Sequence, residues 1–276
     1  LVFGEQRFLK AMQVTGFHHH YTLPKGVFDI KSKMLKIFKR GKLQRTMISA
    51  YNFEIAADPA LTLLAQSSPF YQGVHLAKDS RVVVYRGGKK LNYLDGVYAH
   101  HQQIGGLPPY KHTETDLLLS FKKRWLRWYR EISKFKPRIN FDKLYPYKLD
   151  ITWNPIKINK LGTLEYRGMD VNFMSINLAI AQLLKSCLKK IHREFIEVLP
   201  SDFAIEEPFK FENGILYVPP HTYVRDRLQP ASAYEGYKHK EMRNYTQRFL
   251  KFAIGAATSK KYRKLVAPLK TMVEKK

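Results

Sequence analysis

The amino-acid sequence predicts an α+β fold in one domain, residues 1–276. Three observations lead there. Met12–Leu23 and Gly162–Asp170 have the β-branched and aromatic content and the alternation of strands, whereas Thr113–Ile132 and Ser175–Leu199 repeat apolar residues at helical spacing. No internal repeat and no linker-like stretch divides the chain. With 45% hydrophobic and 26% charged residues, the composition is that of a chain that folds around a core.

Taken in order, Leu1–Lys10 reads as the middle of an element, and the strand Met12–Leu23 ends at Pro24 and Gly26. Ser32–Phe38 reads as a short basic helical stretch. Asp58-Pro59 predicts a helix start, a capping side chain followed by proline at the first helical position, and Ser68-Pro69 predicts its end. Val74–Tyr110 reads as a long, mostly irregular loop around Gly105-Gly106-Leu107-Pro108-Pro109. Thr113-Glu114-Thr115-Asp116 then opens a helix with a capping-box-like signal. Its apolar stripe is Leu117, Leu118, Phe121, Trp125, Trp128, Tyr129 and Ile132, with Lys122, Lys123, Arg127 and Arg130 largely opposite. Lys148–Trp153 and Gly162–Asp170 read as strands joined by a turn around Pro155 and Asn159. Ser175–Leu199, Ser232–Phe252 and Lys260–Val273 complete the chain as helices.

Charge is the unusual feature: 48 Lys and Arg against 23 Asp and Glu, a net of +25. Such a balance suits nucleic acid, an anionic membrane or a phosphorylated small molecule. The cations are spread along the chain, concentrated at Lys31–Lys42, Lys122–Arg130 and Lys260–Lys276, and select no partner by themselves. No apolar run reaches the length of a membrane span. The single cysteine, Cys187, excludes an intramolecular disulfide framework, fits a reducing compartment and falls on a helical apolar stripe as a core residue. Glu5 and Arg7 interrupt the apolar start, so Leu1–Lys10 is no signal peptide, and a chain opening on Leu1 reads as a fragment or a processed product. Ser68 lacks a Gly-x-Ser-x-Gly setting and is no nucleophile.

Three segments carry candidate chemistry. In Gly16-Phe17-His18-His19-His20, strand alternation puts His18, His20 and Thr22 on one face and Phe17, His19 and Tyr21 on the other. Two imidazoles about 7 Å apart on one face can serve one metal–nucleotide site, one as a ligand and the other as a phosphate or ribose contact. A surface histidine cluster is the plain alternative. In Gly162–Asp170, Thr163, Glu165 and Arg167 share a face while Leu164 and Tyr166 point to the core. That Glu-x-Arg spacing is either a surface ion pair of little worth or a metal ligand beside a phosphate-binding guanidinium. Third, Ser67–Gly73 followed by Asp79-Ser80-Arg81 reads as a helix end running into a loop, or as a loop bringing Arg81 to an anionic group.

In combination and in this order, His-x-His, Ser-Ser-Pro-Phe-Tyr-Gln-Gly, Ser-Arg, Gly-Gly-Leu-Pro-Pro and Gly-Thr-Leu-Glu-Tyr-Arg-Gly-Met-Asp resemble the glutamate–cysteine ligase type 2 family, a carboxylate–amine ligase group. The resemblance covers about residues 5–200, and the His-x-His and Glu-x-Arg strands also look like those of glutamine synthetases. It implies a glutamine synthetase-like antiparallel sheet packed by helices, ATP and Mg²⁺ as cofactors, and cytoplasmic amide synthesis of the glutathione-biosynthesis kind. It implies that His18 and Glu165 are metal ligands, that His20 contacts ATP, and that Arg167 holds the transferring phosphate. Gln72, Gly73 and Arg81 would lie near the amino-acid substrate. Asn154 stands where related sequences often carry an Arg.

The family opens with a Glu-x-Glu strand, and no Glu-x-Glu occurs in this chain. The expectation is therefore the second part of a carboxylate–amine ligase catalytic domain, lacking its opening strands, or a remnant without ligase activity. The implied reaction joins a glutamate-like γ-carboxylate to an amine such as cysteine through an acyl phosphate. Partners would be those substrates, a homo-oligomer or the missing N-terminal segment, and no membrane. The alternatives are a nucleic-acid-binding protein, from the interleaved cations and aromatics of Lys122–Arg130, and a catalytically inactive ligase-like subunit. A zinc enzyme on His18 and His20 is disfavoured by the single cysteine and the lack of His-Glu-x-x-His.

Overall fold

Residues 2–36 and 41–274 are described by a computed structural model, and they form a mixed α+β structure with small sheets. Helix α1 (Glu5–Met12) precedes strand β1 (Gly16–Thr22), so the predicted strand begins four residues later than Met12. A hairpin of β2 (Phe28–Asp29) and β3 (Met34–Leu35) follows. It replaces the expected basic helix over Ser32–Phe38, whose last two residues lie outside the described residues. Asp29 accepts from the amides of Lys31 and Ser32, and that local turn competes with helix.

Helix α2 (Lys42–Ala65) is the central element. Asp58-Pro59 lies inside it, which overturns the predicted helix start. Residues 46–65 are all buried, so the helix has no polar face whose periodicity would mark its length. Proline cannot supply an amide to the ladder, and the Tyr245 hydroxyl donates to the Ala56 carbonyl at 2.6 Å, next to the Ile55 carbonyl that an amide at position 59 would serve. Beyond α2, β4 (Phe70–Tyr71) and β5 (Val74–His75) form a hairpin whose two turn residues, Gln72 and Gly73, both have positive φ.

Val74–Tyr110 is more ordered than its composition predicts. It holds α3 (Ser80–Arg86), whose first turn is capped by Asp79 accepting from the Val82 amide at 2.8 Å, and the short α4 (Gln102–Gly105). Helix α5 (Glu114–Ser133) begins at the predicted cap. Thr113 Oγ1 accepts from the Asp116 amide, and Asp116 accepts from the Thr113 amide, both at 3.1 Å. Leu117, Phe121, Trp128 and Ile132 are buried, as the stripe predicts. Tyr129 is instead 39% exposed, and Arg124 is buried among the core positions.

After α6 (Phe141–Leu144), strand β6 occupies Ile156–Asn159 rather than Lys148–Trp153, which turns back as a 3₁₀ segment with Leu149 and Ile151 in the core. Asn159 then closes the turn by accepting from the Leu161 amide, with Gly162 at φ +76°, and β7 (Thr163–Asp170) follows. The main sheet has the order β1-β7-β6, antiparallel throughout.

Helix α7 (Met174–Glu194) stops before the predicted Leu199 because Phe195 takes left-handed backbone and the chain enters β8 (Glu197–Pro200). With β9 (Phe211–Glu212) and β10 (Ile215–Val218) this makes a second sheet, where β8 runs parallel to β10. Helices α8 (His221–Tyr223), α9 (Gln229–Tyr234), α10 (Lys240–Ala256) and α11 (Lys260–Glu274) follow. The helix predicted over Ser232–Phe252 is broken at Gly236, φ +61°, and restarted by His239, whose ring accepts from the Met242 amide. Helix α2 packs on β7, and α7 packs on β1 and α2, so one face of the main sheet is core and the other carries His18, His20, Glu165 and Arg167. Among the described residues, no helix is long and apolar enough to cross a membrane.

Candidate functional site

The outward face of the main sheet gathers four of the predicted residues. Pairing sets His20 opposite Glu165 and Thr22 opposite Thr163. The register slips between Phe17 and His19, where Arg167 and Gly168 of β7 face the single residue His18. As a result Glu165 Oε1 is 3.4 Å from His18 Nδ1, 4.0 Å from His20 Nε2 and 3.8 Å from Arg167 Nη1. His20 Nδ1 lies 2.9 Å from the Thr163 hydroxyl. His19, on the opposite face as alternation predicts, is buried with Nε2 at 3.1 Å from Met169 Sδ.

Two residues of this group were not singled out from the sequence. Lys157 stands opposite Glu165 in the β6–β7 ladder, and Asn159 Nδ2 donates to Glu165 Oε2 at 2.6 Å. Lys157 is buried and donates to the Thr152 carbonyl at 3.0 Å. The signal that finds them is the hairpin itself, because a three-residue turn after Asn159 pairs position 157 with 165. Beside them, Arg167 Nη2 reaches the Tyr85 hydroxyl at 3.4 Å, and Tyr85, Tyr98 and Trp153 form an aromatic wall with centroids 5.0 and 6.1 Å apart.

Electrostatics separate the roles of these groups. Burial raises the Glu165 carboxyl, but the Asn159 amide and the charges of Lys157 and Arg167 outweigh it and hold it below its ordinary value. Burial and then the Arg167 charge push His18 down to about 4, so its imidazole is neutral near pH 7 and free to bind a cation. Burial lowers the Lys157 ammonium to about 8. Among the described residues, no group of three or more His, Cys, Asp or Glu side chains is placed to hold a metal ion. The donor set here is one carboxylate, Glu165, with one imidazole, His18. That set fits a single divalent cation completed by ligand or water oxygens, and it falls short of the carboxylates that a cluster of Mg²⁺ ions takes.

The remaining predicted residues lie elsewhere. Arg81 reaches the same end of β7 from behind, where its terminal nitrogens donate to the Gly168 and Arg167 carbonyls at 2.9 and 3.1 Å. It is 5% exposed, and its two terminal nitrogens brace the strand while Nε is buried without a hydrogen-bond partner. Gln72 and Gly73 form the exposed tip of the β4–β5 hairpin, where Gln72 meets Gln13 at 3.4 Å rather than the Glu165 group. Asn154 is fully buried and donates to the Gly106 carbonyl at 2.6 Å, a tie between two loops. Cys187 is fully buried, with burial raising its thiol, as expected of a core residue.

A further buried network lies where β7 meets α2 and α3. Arg86 donates to both oxygens of Asp58, with Nη2 at 2.8 Å from Oδ1, and to Gln229 Oε1 at 2.7 Å. The Tyr166 hydroxyl completes Asp58 at 3.1 Å. This network fixes the strand that carries Glu165 and Arg167 relative to the helices. Comparison with known proteins returns no family model that matches the chain and no curated protein that matches it.

Proposed function

We propose that this chain acts in an ATP-dependent carboxylate–amine ligase, forming an amide between a glutamate-like acid and an amine such as cysteine. The observation that carries the reading is the convergence of the half-exposed His18 and His20 and of Arg167 on Oε1 of the buried Glu165, across one face of the sheet. A carboxylate does not exchange hydroxide for an amine readily, so a carboxylate oxygen first attacks the γ-phosphorus of ATP and ADP leaves. The amine nitrogen then attacks the acyl carbon, phosphate leaves with the C–O electron pair, and the nitrogen gives up its proton.

In this reading the protein supplies position and charge rather than a nucleophile. Arg167, a planar and permanent cation, orients the transferring phosphoryl group. Glu165 and neutral His18 would hold one divalent cation, such as Mg²⁺, that neutralises phosphate charge when bound. His20 reaches the nucleotide phosphates, and the Tyr85–Trp153 wall offers a surface for the nucleotide's planar base. Asn159 and Lys157 keep Glu165 ionised, and Arg81 acts as a positioning residue behind Arg167. Further carboxylates would come from a preceding segment: among the described residues the outer edge of β1 pairs with no strand, and an added strand would complete both the sheet and the site.

Equilibrium dialysis with Mg²⁺ and ATP tests the reading. Binding is expected to weaken more than tenfold in Arg167→Ala and His20→Ala, with the thermal midpoint unchanged. ATP affinity equal to wild type in both variants overturns it.

A further inference from the structure

Helix α5 turns Leu117, Phe121, Trp128 and Ile132 into the core, and its other side is open. On that side Lys122, Lys123, Arg127 and Arg130 are all exposed. Residues 117–130 contain no Asp or Glu. Glu131, the first acid after them, pairs with Lys134, and among the described residues none of the four outward cations makes an ion pair. Lys123 and Arg127 are four residues apart and Arg127 and Arg130 three, so like charges face each other along the helix and oppose it. Nothing inside the fold offsets that repulsion, whereas an external anion would.

The same face carries apolar side chains. Leu119 is 46% exposed and Leu126 38%, two helical turns apart on one line, with Lys122 and Lys123 between them and Arg130 beyond. Tyr129, 39% exposed, is stacked on Trp125 with centroids 5.9 Å apart. Past the helix, Phe135 is 52% exposed between Lys134 and Lys136. Phosphates along a nucleic acid would satisfy the cations but give the leucines no partner. An anionic bilayer surface satisfies both: headgroups meet the cations at the ends of their flexible stems, acyl carbons meet the leucines, and a tyrosine suits the boundary between them.

We propose that the outward face of α5 seats this chain on an anionic lipid membrane. Among the described residues no helix is long and apolar enough to cross a membrane, and peripheral contact needs none. The inference goes beyond the ligase reading and uses none of the side chains of the Glu165 site.

Cosedimentation of the full chain with vesicles tests it. Binding is expected to vesicles of equal parts phosphatidylcholine and phosphatidylglycerol, to fall with added salt, and to be absent with phosphatidylcholine alone. Lys123→Gln with Arg130→Gln weakens it about tenfold or more, and Leu119→Gln with Leu126→Gln about threefold or more. The control Lys185→Gln with Lys189→Gln removes the same charge from exposed positions of α7 and leaves binding unchanged, as does Arg167→Ala, so this proposal and the ligase reading fail separately. Unchanged melting curves verify that the variants fold. The proposal is overturned if the anionic vesicles are not bound, if the α7 control loses as much as the α5 cation pair, or if the leucine variant binds like wild type. An RNA oligonucleotide bound through Lys123 and Arg130 in a chain that ignores the vesicles also overturns it and assigns the face to nucleic acid.

Discussion

Asn159 donates its side-chain amide to Glu165 Oε2 at 2.6 Å across the β6–β7 ladder. The other oxygen, Oε1, is left as the atom toward which His18, His20 and Arg167 point. A neutral donor thus orients the carboxylate without consuming any of the surrounding cations. In Asn159→Leu that charge-assisted bond, of order 1.5–3 kcal/mol, is lost, and burial then raises the Glu165 carboxyl. The proposed activity needs the carboxylate form and is lost as pH falls through its pKa. The acid limb of the pH–rate profile is therefore expected to move to higher pH in this variant, and an unmoved limb shows that Asn159 does not tune Glu165.

The Asp58–Arg86 pair is fully buried and its partners are satisfied. Removing one member leaves a charge in the core, so Asp58→Ala is expected to cost about 3–5 kcal/mol in denaturant unfolding. Replacing both, as Asp58→Leu with Arg86→Met, is expected to cost less than Asp58→Ala alone. A single-variant loss below about 1 kcal/mol contradicts the role given to this network.

Asp79 caps α3 from a fully buried position. Burial and then the nearby Asp170 charge raise its carboxyl from 3.8 to about 7. The native state therefore holds a proton that the unfolded chain releases. Asp79 contributes most below pH 4, and its contribution falls as pH rises toward 7. Asp79→Asn keeps a cap acceptor without the charge, so it is expected to be stabilising relative to wild type at pH 8 and near neutral at pH 4. Asp79→Ala loses the cap and is destabilising by about 1 kcal/mol at pH 4. Urea midpoints at the two pH values give the answer.

Gly16 opens β1 where no side chain fits: a Cβ there would lie 2.6 Å from the Arg81 Cζ. Gly16→Ala must push Arg81 off the Arg167 and Gly168 carbonyls, at an expected cost of about 1–3 kcal/mol. Because the clash needs the guanidinium, Gly16→Ala combined with Arg81→Ala is expected to cost less than the sum of the two single variants. Additive losses indicate that the two positions do not communicate.

Which parts of this architecture were legible follows from the range of the forces involved. The alternation of His18, His19 and His20 and of Leu164, Glu165 and Tyr166 is a property of the strand itself, and it places each side chain on its correct face. The Thr113–Asp116 cap is equally local. Asp58 has the same capping signature, but its partner Arg86 is 28 residues away, and a helix buried on all sides carries no period to show that it began at Lys42. Lys157 and Asn159 became visible only with the β6–β7 register, and the end of α7 only with β10 waiting to pair with β8. The loop reading and the resemblance put Arg81 beside a substrate, whereas the carbonyls that its terminal nitrogens bind are 86 and 87 residues away in the chain.

The central claim is a ligase site around Glu165, and ADP release tests it most directly. Purified protein is incubated with Mg²⁺-ATP, glutamate and a panel of amines including cysteine, alongside Glu165→Gln. ADP that depends on both glutamate and one amine, and that vanishes in the variant while its fold is intact, is the predicted result. ADP release undiminished in Glu165→Gln contradicts the account, as does a wild-type chain that neither releases ADP with any amine nor binds Mg²⁺-ATP.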